Sequence, residues 1–599
     1  MKNSLRYAIL IVVAIVFCAV THAIVIKYKL ADGTRHAITS SELSAIDFND
    51  NGTITLTTWD GSVVETTSDE FETLEIGTQE VLLENYTDTT LNFTYEGLSL
   101  GSRDVRQFNF LYPTVDPQGD SITMSGCIVV PHNILNGSNK SEGVILFNHY
   151  TIFNKLEAPT MGYSTLEAMF LGNPLNPNYI IIESDFYGFG STLRFSQAYL
   201  QGTANAHASL DCYLAGMRLL DQMGIEPGEL TFNVGYSSGG FDALSTHKLR
   251  DMEFSDKVHF DKTFAGGSPS DIAECYRQYI EIDSTAYNAV LALLMVSTND
   301  TQNLGLEYSD VFQPYVADKI DEWINSKNYS SWPVCDSIGR EKKVHEILTP
   351  PYCDLNSPES LVIQEIFERN SIAYGWEPDP NQRLYIFHAR DDDYVPVQSA
   401  RTILRYLEGK GFTPSIVPGK TNLQTNFVVP KLGHLTGTVV YLVQTVAAIK
   451  AWPLMYENGQ LKDEYAAIIN MDIDLIGALQ ILENAGIDVR GIINQAVSLI
   501  GGGATPAEII NALLAQLQQL GFDEQTLQEM FQDSGIDINR VIEDLIAYLQ
   551  GPNPEQGGKS PNTLATRSNK LMNDLAARRT PAQTYEQQLR SWLDENTNK

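Results

Sequence analysis

The stretch Gly235-Tyr236-Ser237-Ser238-Gly239 constrains this chain more than any other. Apolar-leaning residues Leu230 to Val234 lead into it and a helix-like run, Phe241 to Leu249, leads out. A serine hydroxyl attacks a carbonyl only when it stands exposed on a sharp strand-to-helix turn, and glycines two before and two after leave room for that turn. A bare G-x-S-x-G arises by chance in roughly one chain in five of this length, so the flanking strand and helix decide the reading. Ser237 is the candidate nucleophile.

The rest of the chain supplies the sheet such a turn needs. Between about 80 and 270, strand-like runs Cys127 to Val130, Val144 to Phe147, Tyr179 to Glu183, Leu230 to Val234 and Thr263 to Ala265 alternate with helical stretches, of which Asn205 to Met223 is the clearest. Such alternation predicts an α/β architecture with a mostly parallel sheet covered on both faces. Another buried strand, Leu384 to His388, arrives more than a hundred residues later and runs into the loop Ala389 to Pro396. Together with Thr114 to Gly119, Ser125 to Pro131, Phe147-Asn148-His149, Asp185 to Gly190 and the elbow, this segment gives residues 80 to 455 their character. That part of the chain resembles the α/β-hydrolase superfamily, and within it the secreted lipase/esterase-like branch that includes fungal secretory lipases and Bacteroidetes-type hydrolases. The Gly188-Phe189-Gly190 pair lacks the third glycine of a dinucleotide site and is not read as one.

The resemblance implies a triad in the chain order Ser, acid, His. The loop after Leu384 to His388 lies where open α/β sheets place ligands. Among its three aspartates, Asp392 fits the D-x-Φ-V-P pattern (Φ apolar) common after that strand in this fold, with Asp391 the alternative. Nine of the ten histidines precede this loop and only His434 follows it, just ahead of the helical pattern Val439 to Trp452. On a loop before a helix it is expected to be a mobile proton shuttle, taking the Ser237 proton while Asp392 holds its tautomer. One oxyanion donor should be the Ser238 backbone N–H. The other should come from the loop after Gly143 to Asn148, where Tyr150 replaces the usual glycine, so either Tyr150 or Thr151 is the donor. The competing view is a strand end whose His149 only fixes the loop.

The insertion between about 270 and 380 is helical and apolar, with Tyr287 to Val296 at its centre. In the fold resembled, it makes a cap over the serine. Its apolar stripe either lines an acyl site or forms the cap's own core. The expected activity is hydrolysis of carboxylic esters, on a small-molecule or lipid ester, with no metal or organic cofactor. Two alternatives stand beside it: a peptidase of the same fold, for which Glu281-Ile282-Asp283 offers a carboxylate pair to a peptide amine, and a non-catalytic binding protein on a hydrolase scaffold.

Forty basic against 74 acidic residues give a net charge of −34, which repels nucleic acid and anionic bilayers. Lys2 and Arg6 precede the apolar run Tyr7 to Val20, and Thr21-His22-Ala23 ends in a small residue, so residues 1–23 read as a secretory signal and the protein as exported. An uncleaved anchor and lipidation at Cys18 are the alternatives, and no later segment is expected to span a bilayer. Of the five remaining cysteines, Cys335 and Cys353 flank a Pro-rich stretch and are the expected disulfide. Residues 24–78 read as a small β module with turns at Asp32-Gly33 and Asp60-Gly61. Residues 456–550 read as a helical domain punctuated by Gly486-Ile487-Asp488, Gly521-Phe522-Asp523 and Gly535-Ile536-Asp537, in which glycine stops one helix and aspartate caps the next. Residues 551–599 read as a linker and a polar, mobile helical tail.

Overall fold

A computed structural model describes residues 81–95, 98–162, 178–427, 431–469, 475–531, 537–550 and 564–597 continuously, and mainly the strands between 23 and 79. The leader, the two Asp-Gly turns, the Gly535-Ile536 pair and the linker lie outside the described residues. Toward the N-terminus, two three-stranded antiparallel sheets form, one from Ala23–Leu30, Arg35–Thr39 and Phe71–Gln79, the other from Leu43–Phe48, Thr53–Thr58 and Val63–Thr67.

The large sheet has ten strands: β1 (Leu82–Tyr95), β2 (Leu98–Val115), β3 (Ser121–Pro131), β4 (Gly143–Asn148), β5 (Tyr179–Ser184), β6 (Leu230–Tyr236), β7 (Lys262–Gly266), β8 (Leu384–Phe387), β9 (Pro414–Ser415) and β10 (Leu423–Asn426). Their spatial order is β9-β10-β8-β7-β6-β4-β5-β3-β2-β1. The pairs from β5 to β9 are parallel, whereas β1, β2 and β3 form an antiparallel meander joined to β5. The chain leaves β4 for β5 on one side and returns to β6 on the other. The C-terminal ends of β4 and β6 therefore flank a switch point, where sheets of this kind open a crevice. The apolar pattern does not reveal β1, because its Thr and Asp side chains face solvent at the sheet edge.

Helix α1 (Gly202–Gln222) covers one sheet face, its Gly216 pressed on Ile182 of β5. Helix α2 (Ser238–Leu249) follows the elbow and α3 (Asn288–Thr301) lies in the cap. The opposite face is covered by α4 (His434–Met455), whose Tyr441, Val446, Ile449 and Trp452 join Phe232, Val234 and Phe264 in one core. Among the described residues α4 alone is long and apolar enough to cross a membrane, which corrects the expectation that nothing after the leader is; 61% of its apolar window is buried inside the protein. A helix flanked by protein on two sides must be apolar around most of its circumference.

The second flank is the tail. Helix α6 (Pro581–Thr597) places Leu589 in that core and Ala582 against Ala451 and Met455, and Gln444 Nε2 donates to Glu586 at 3.2 Å. The expected mobile tail is thus a docked helix. Its apolar residues are few, so its pattern reads as polar although they share one face. Between α4 and α6, helices Leu475–Asn484, Val489–Gly501, α5 (Pro506–Gln519), Glu524–Phe531, Ile538–Gln550 and Leu564–Ala577 enclose a core of their own around Ile493, Leu513, Phe522 and Leu571. The Thr505–Glu508 capping box opens α5, and Gly521 (φ +94°) ends its turn before Asp523 caps the next helix.

Cys335 and Cys353 are both free thiols, against the expected disulfide. Cys335 is buried among the cap's apolar side chains, while Cys353 Sγ lies 3.8 Å from the Leu348 carbonyl.

Candidate active site

The residue after strand β6 is strained: Ser237 has φ +60° and ψ −126°, a region that costs on the order of 1–3 kcal/mol for a side-chain-bearing residue. Its N–H donates to the Gly266 carbonyl at 2.8 Å and its carbonyl accepts from Phe241 at 3.1 Å, so neighbouring backbone holds the strain in place. The motif glycines are demanded by space. A Cβ on Gly235 would lie 2.0 Å from the Gly239 carbonyl oxygen, and one on Gly239 would lie 2.1 Å from that of Asn148. The second contact, with one of 2.8 Å to the His149 carbonyl oxygen, shows that the end of β4 and the loop after it rest directly on the first turn of α2.

Ser237 Oγ donates to His434 Nε2 at 2.8 Å, and His434 Nδ1 donates to Asp392 Oδ2 at 2.7 Å. The structure therefore brings the three chosen residues into one hydrogen-bonded line. His434 is not on a loop, as expected, but is the first residue of α4, with Gly433 as its N-cap. Its ring packs between Tyr236 and Tyr394, with centroids 5.1 and 5.2 Å away, and its carbonyl accepts from the Tyr236 hydroxyl at 2.7 Å. The imidazole is thus seated between two rings.

Each of the three aspartates has a different task. The Asp392 side chain is fully buried, and its Oδ1 accepts from the N–H groups of Tyr394 and Val395 at 2.9 and 2.8 Å. Burial pushes this carboxyl up, but the His434 and His388 imidazoles and the Val395 N–H outweigh burial and hold it below the ordinary carboxylate range. Asp391, the alternative acid, accepts from the Lys431 N–H at 2.6 Å, and Asp393 accepts from the His434 N–H at 2.9 Å. His388 is a neighbour that chain order sets aside. Fully buried, it hydrogen-bonds the Val395 carbonyl through Nε2 at 2.9 Å, with that nitrogen 3.5 Å from Asp392 Oδ2. Burial pushes the His388 pKa down, and the neighbouring Asp392 carboxylate only partly opposes this. Its position at the end of an apolar strand was the available signal.

On the other side of Ser237, Ser238 begins α2, so its N–H is one of the unpaired donors of a helix N-terminus. Thr151 is buried, its Oγ1 donating to Ser238 Oγ at 3.1 Å and lying 3.1 Å from the Tyr199 hydroxyl. Tyr150 turns away, its side chain packing with Ile152, Ala158 and Phe189. His149 Nδ1 donates to the Tyr150 carbonyl at 2.8 Å and so fixes the loop. The structure thus brings Thr151 and Ser238 to the serine and leaves the Tyr150 side chain outside.

Ser237 opens into a narrow, mostly enclosed cavity. Its lining includes Thr151, Tyr199, Leu200, Ile272, Tyr279, Tyr287, Val290, Leu291, Leu294 and Tyr394. Helix α3 contributes to both expected roles, Val290, Leu291 and Leu294 facing the cavity while Leu293, Met295 and Val296 fill the cap core. Glu281 and Asp283 are not in the wall. Glu281 pairs with Arg277 at 3.1 Å and Asp283 with His345 at 2.6 Å, both on the surface, which removes the carboxylate pair expected for a peptide amine. Among the described residues no group of three His, Cys, Asp or Glu side chains is placed to hold a metal ion.

The fold is that of the α/β hydrolases. It is shared with a Legionella pneumophila protein described as a hydrolase, at 16% identity over 63% of this chain and 99% of that one, with a TM-score of 0.53. A variant of the rice cell wall degrading esterase LipA of Xanthomonas oryzae matches at 18% identity over 62% and 96%, TM-score 0.51, and its ligand-bound form at 19% over 64% and 98%, TM-score 0.50. No protein-family model matches the chain. No curated protein matches it either.

Proposed function

We propose that this protein is an exported serine hydrolase that cleaves carboxylic esters. The observation that carries the reading is the Ser237–His434–Asp392 line, positioned on a strained elbow and opening into an apolar cavity. His434 Nε2 takes the Ser237 proton as Oγ adds to the ester carbonyl, and Asp392 steadies the imidazolium that forms. The oxyanion meets the Ser238 N–H and a donor from the Thr151 loop. The proton then passes from His434 to the leaving alcohol, the acyl group stays on Oγ, and water activated by the same imidazole releases the acid. The resemblance to hydrolases and an esterase of known structure supports the fold on which this chemistry is read, and the N-terminal leader pattern supports export.

The cavity narrows the substrate. Its mostly enclosed, tyrosine-rich walls suit a compact acyl group better than a long chain, since a long chain needs an open tunnel or groove. Its wall offers no carboxylate to a peptide amine, so the ester reading is preferred to the peptidase one. The test treats the protein and Ser237→Ala with a fluorophosphonate probe, then compares p-nitrophenyl butyrate with an aminoacyl p-nitroanilide. Labelling lost in Ser237→Ala, with turnover of the butyrate only, is expected, and Ser237→Ala should lower turnover on the order of 10⁵-fold or more. Cleavage of the anilide in preference to the ester would replace this reading by a peptidase.

A further inference from the structure

The acid loop and the histidine turn are tied to each other at three points. Lys431 N–H donates to Asp391, the His434 imidazole to Asp392 and the His434 N–H to Asp393. Consecutive aspartates thus meet a turn that holds Lys431 at φ +58°, where a side-chain-bearing residue does not rest unaided. What tethers this pair of segments lies outside the hydrolase sheet. Arg390, the residue before Asp391, donates to the Gly521 carbonyl at 2.8 Å and to Thr526 Oγ1, and lies 3.9 Å from the Asp523 carboxylate. Lys431 Nζ donates to the Gln519 carbonyl. Gln519 ends α5, where the last carbonyls of a helix lack partners and the helix dipole attracts cations. One cation from the histidine turn therefore holds the end of α5, and one from the acid loop holds the turn and the start of the helix that follow it.

We infer that Arg390 is a positioning residue, through which the C-terminal helical array holds Asp392 and His434 in register for Ser237. Arg390 does not touch the cavity. It acts by fixing the loop whose next three residues make the three ties. A rigid partner is required for this, and the array has one in its own apolar core, where Phe522 is buried between Gly521 and Asp523. The array is then part of the working site and not an appended module. This inference rests on the serine-hydrolase reading of the same triad.

The test uses the full chain with Arg390→Ala, Arg390→Lys, Thr526→Val and the Arg390→Ala/Thr526→Val double variant. Thr526 sits on the array and has no contact with Ser237, His434 or Asp392. The readouts are the fluorophosphonate labelling rate of Ser237, kcat and KM on p-nitrophenyl butyrate, and Tm. Arg390→Ala should lower labelling rate and kcat about tenfold with KM within twofold. Thr526→Val should lower them in the same direction, the double variant should be no worse than Arg390→Ala alone, and Arg390→Lys should recover part of the loss. A lowered Tm with labelling rate and kcat within twofold of the parent would overturn the inference, because the grip would then only anchor the array. If the parent is labelled but turns over no ester, the ester reading fails, and the labelling rates still decide the role of Arg390.

Discussion

Substituting Gly239 by alanine tests whether the loop after β4 rests on the elbow helix as described. Gly239 lies in α2, where alanine is intrinsically favoured over glycine by about 1 kcal/mol. Against this, the new Cβ would lie 2.1 Å from the Asn148 carbonyl oxygen and 2.8 Å from that of His149. Real Cβ atoms essentially never approach closer than 3.0 Å, so loop and helix must separate by about 0.9 Å, and no rotamer change relieves a clash between backbone atoms. Overpacking of this kind costs about 1–3 kcal/mol, so the net loss of stability should be modest, between about 0 and 2 kcal/mol. The loss of activity should be larger. A shift near 1 Å at the reacting centre costs about 10²-fold in rate, and this shift moves the Thr151 loop away from Ser238. The assay is kcat on p-nitrophenyl butyrate beside Tm, with Gly409→Ala as control. Gly409 ends a helix and its Cβ would meet nothing within 4 Å, so that change should leave kcat untouched and stability equal or slightly raised. A Gly239→Ala protein that keeps kcat within threefold would refute the reasoning, since the loop would then not depend on that contact.

Across p-nitrophenyl esters, kcat/KM should fall at least tenfold from butyrate to dodecanoate, and equal rates along the series would contradict the enclosed cavity. Asp242, buried on α2 beside Asn205 with its pKa pushed up to about 7 by burial, is protonated in the folded protein at pH values where the unfolded chain has already ionised. It therefore withdraws stability as pH rises from about 4 to about 7, and Asp242→Asn should raise the urea midpoint at pH 8 more than at pH 4, with equal gains at both telling against a buried neutral acid. Leu589→Ala in α6 should cost about 2–5 kcal/mol and lower Tm, as a buried core leucine does; a change below 0.5 kcal/mol would mean that α6 does not pack on α4 in solution.

Much of the site could be read from residue order and spacing because its constraints are local. Gly235 and Gly239 are required by contacts within five residues and one neighbouring loop, and His434 followed from its place after the acid. What spacing could not supply was tertiary. Nothing in Leu432 to Gly437 shows that Tyr236 and Tyr394 close on the His434 ring from distant strands and loops. The separate duties of Asp391 and Asp393 depend on the histidine turn some forty residues away. In the same way, β1 escaped notice because its exposed faces carry no apolar alternation, and the Cys335–Cys353 pairing rested on flanking composition, which says nothing of where the two thiols point.

The sandwiching of α4 between the sheet and α6 has a consequence for how the protein comes into being. Ser237 and Asp392 can reach their places soon after their strands are made, but the helix that starts with His434 keeps an apolar flank uncovered until residues 581–597 have been synthesised. Chains interrupted before that point carry an apolar helix that lies against the sheet on one side and has nothing over the other. Late arrival of α6 therefore leaves the helix that carries His434 covered on one side only until the last stretch of the described chain is made.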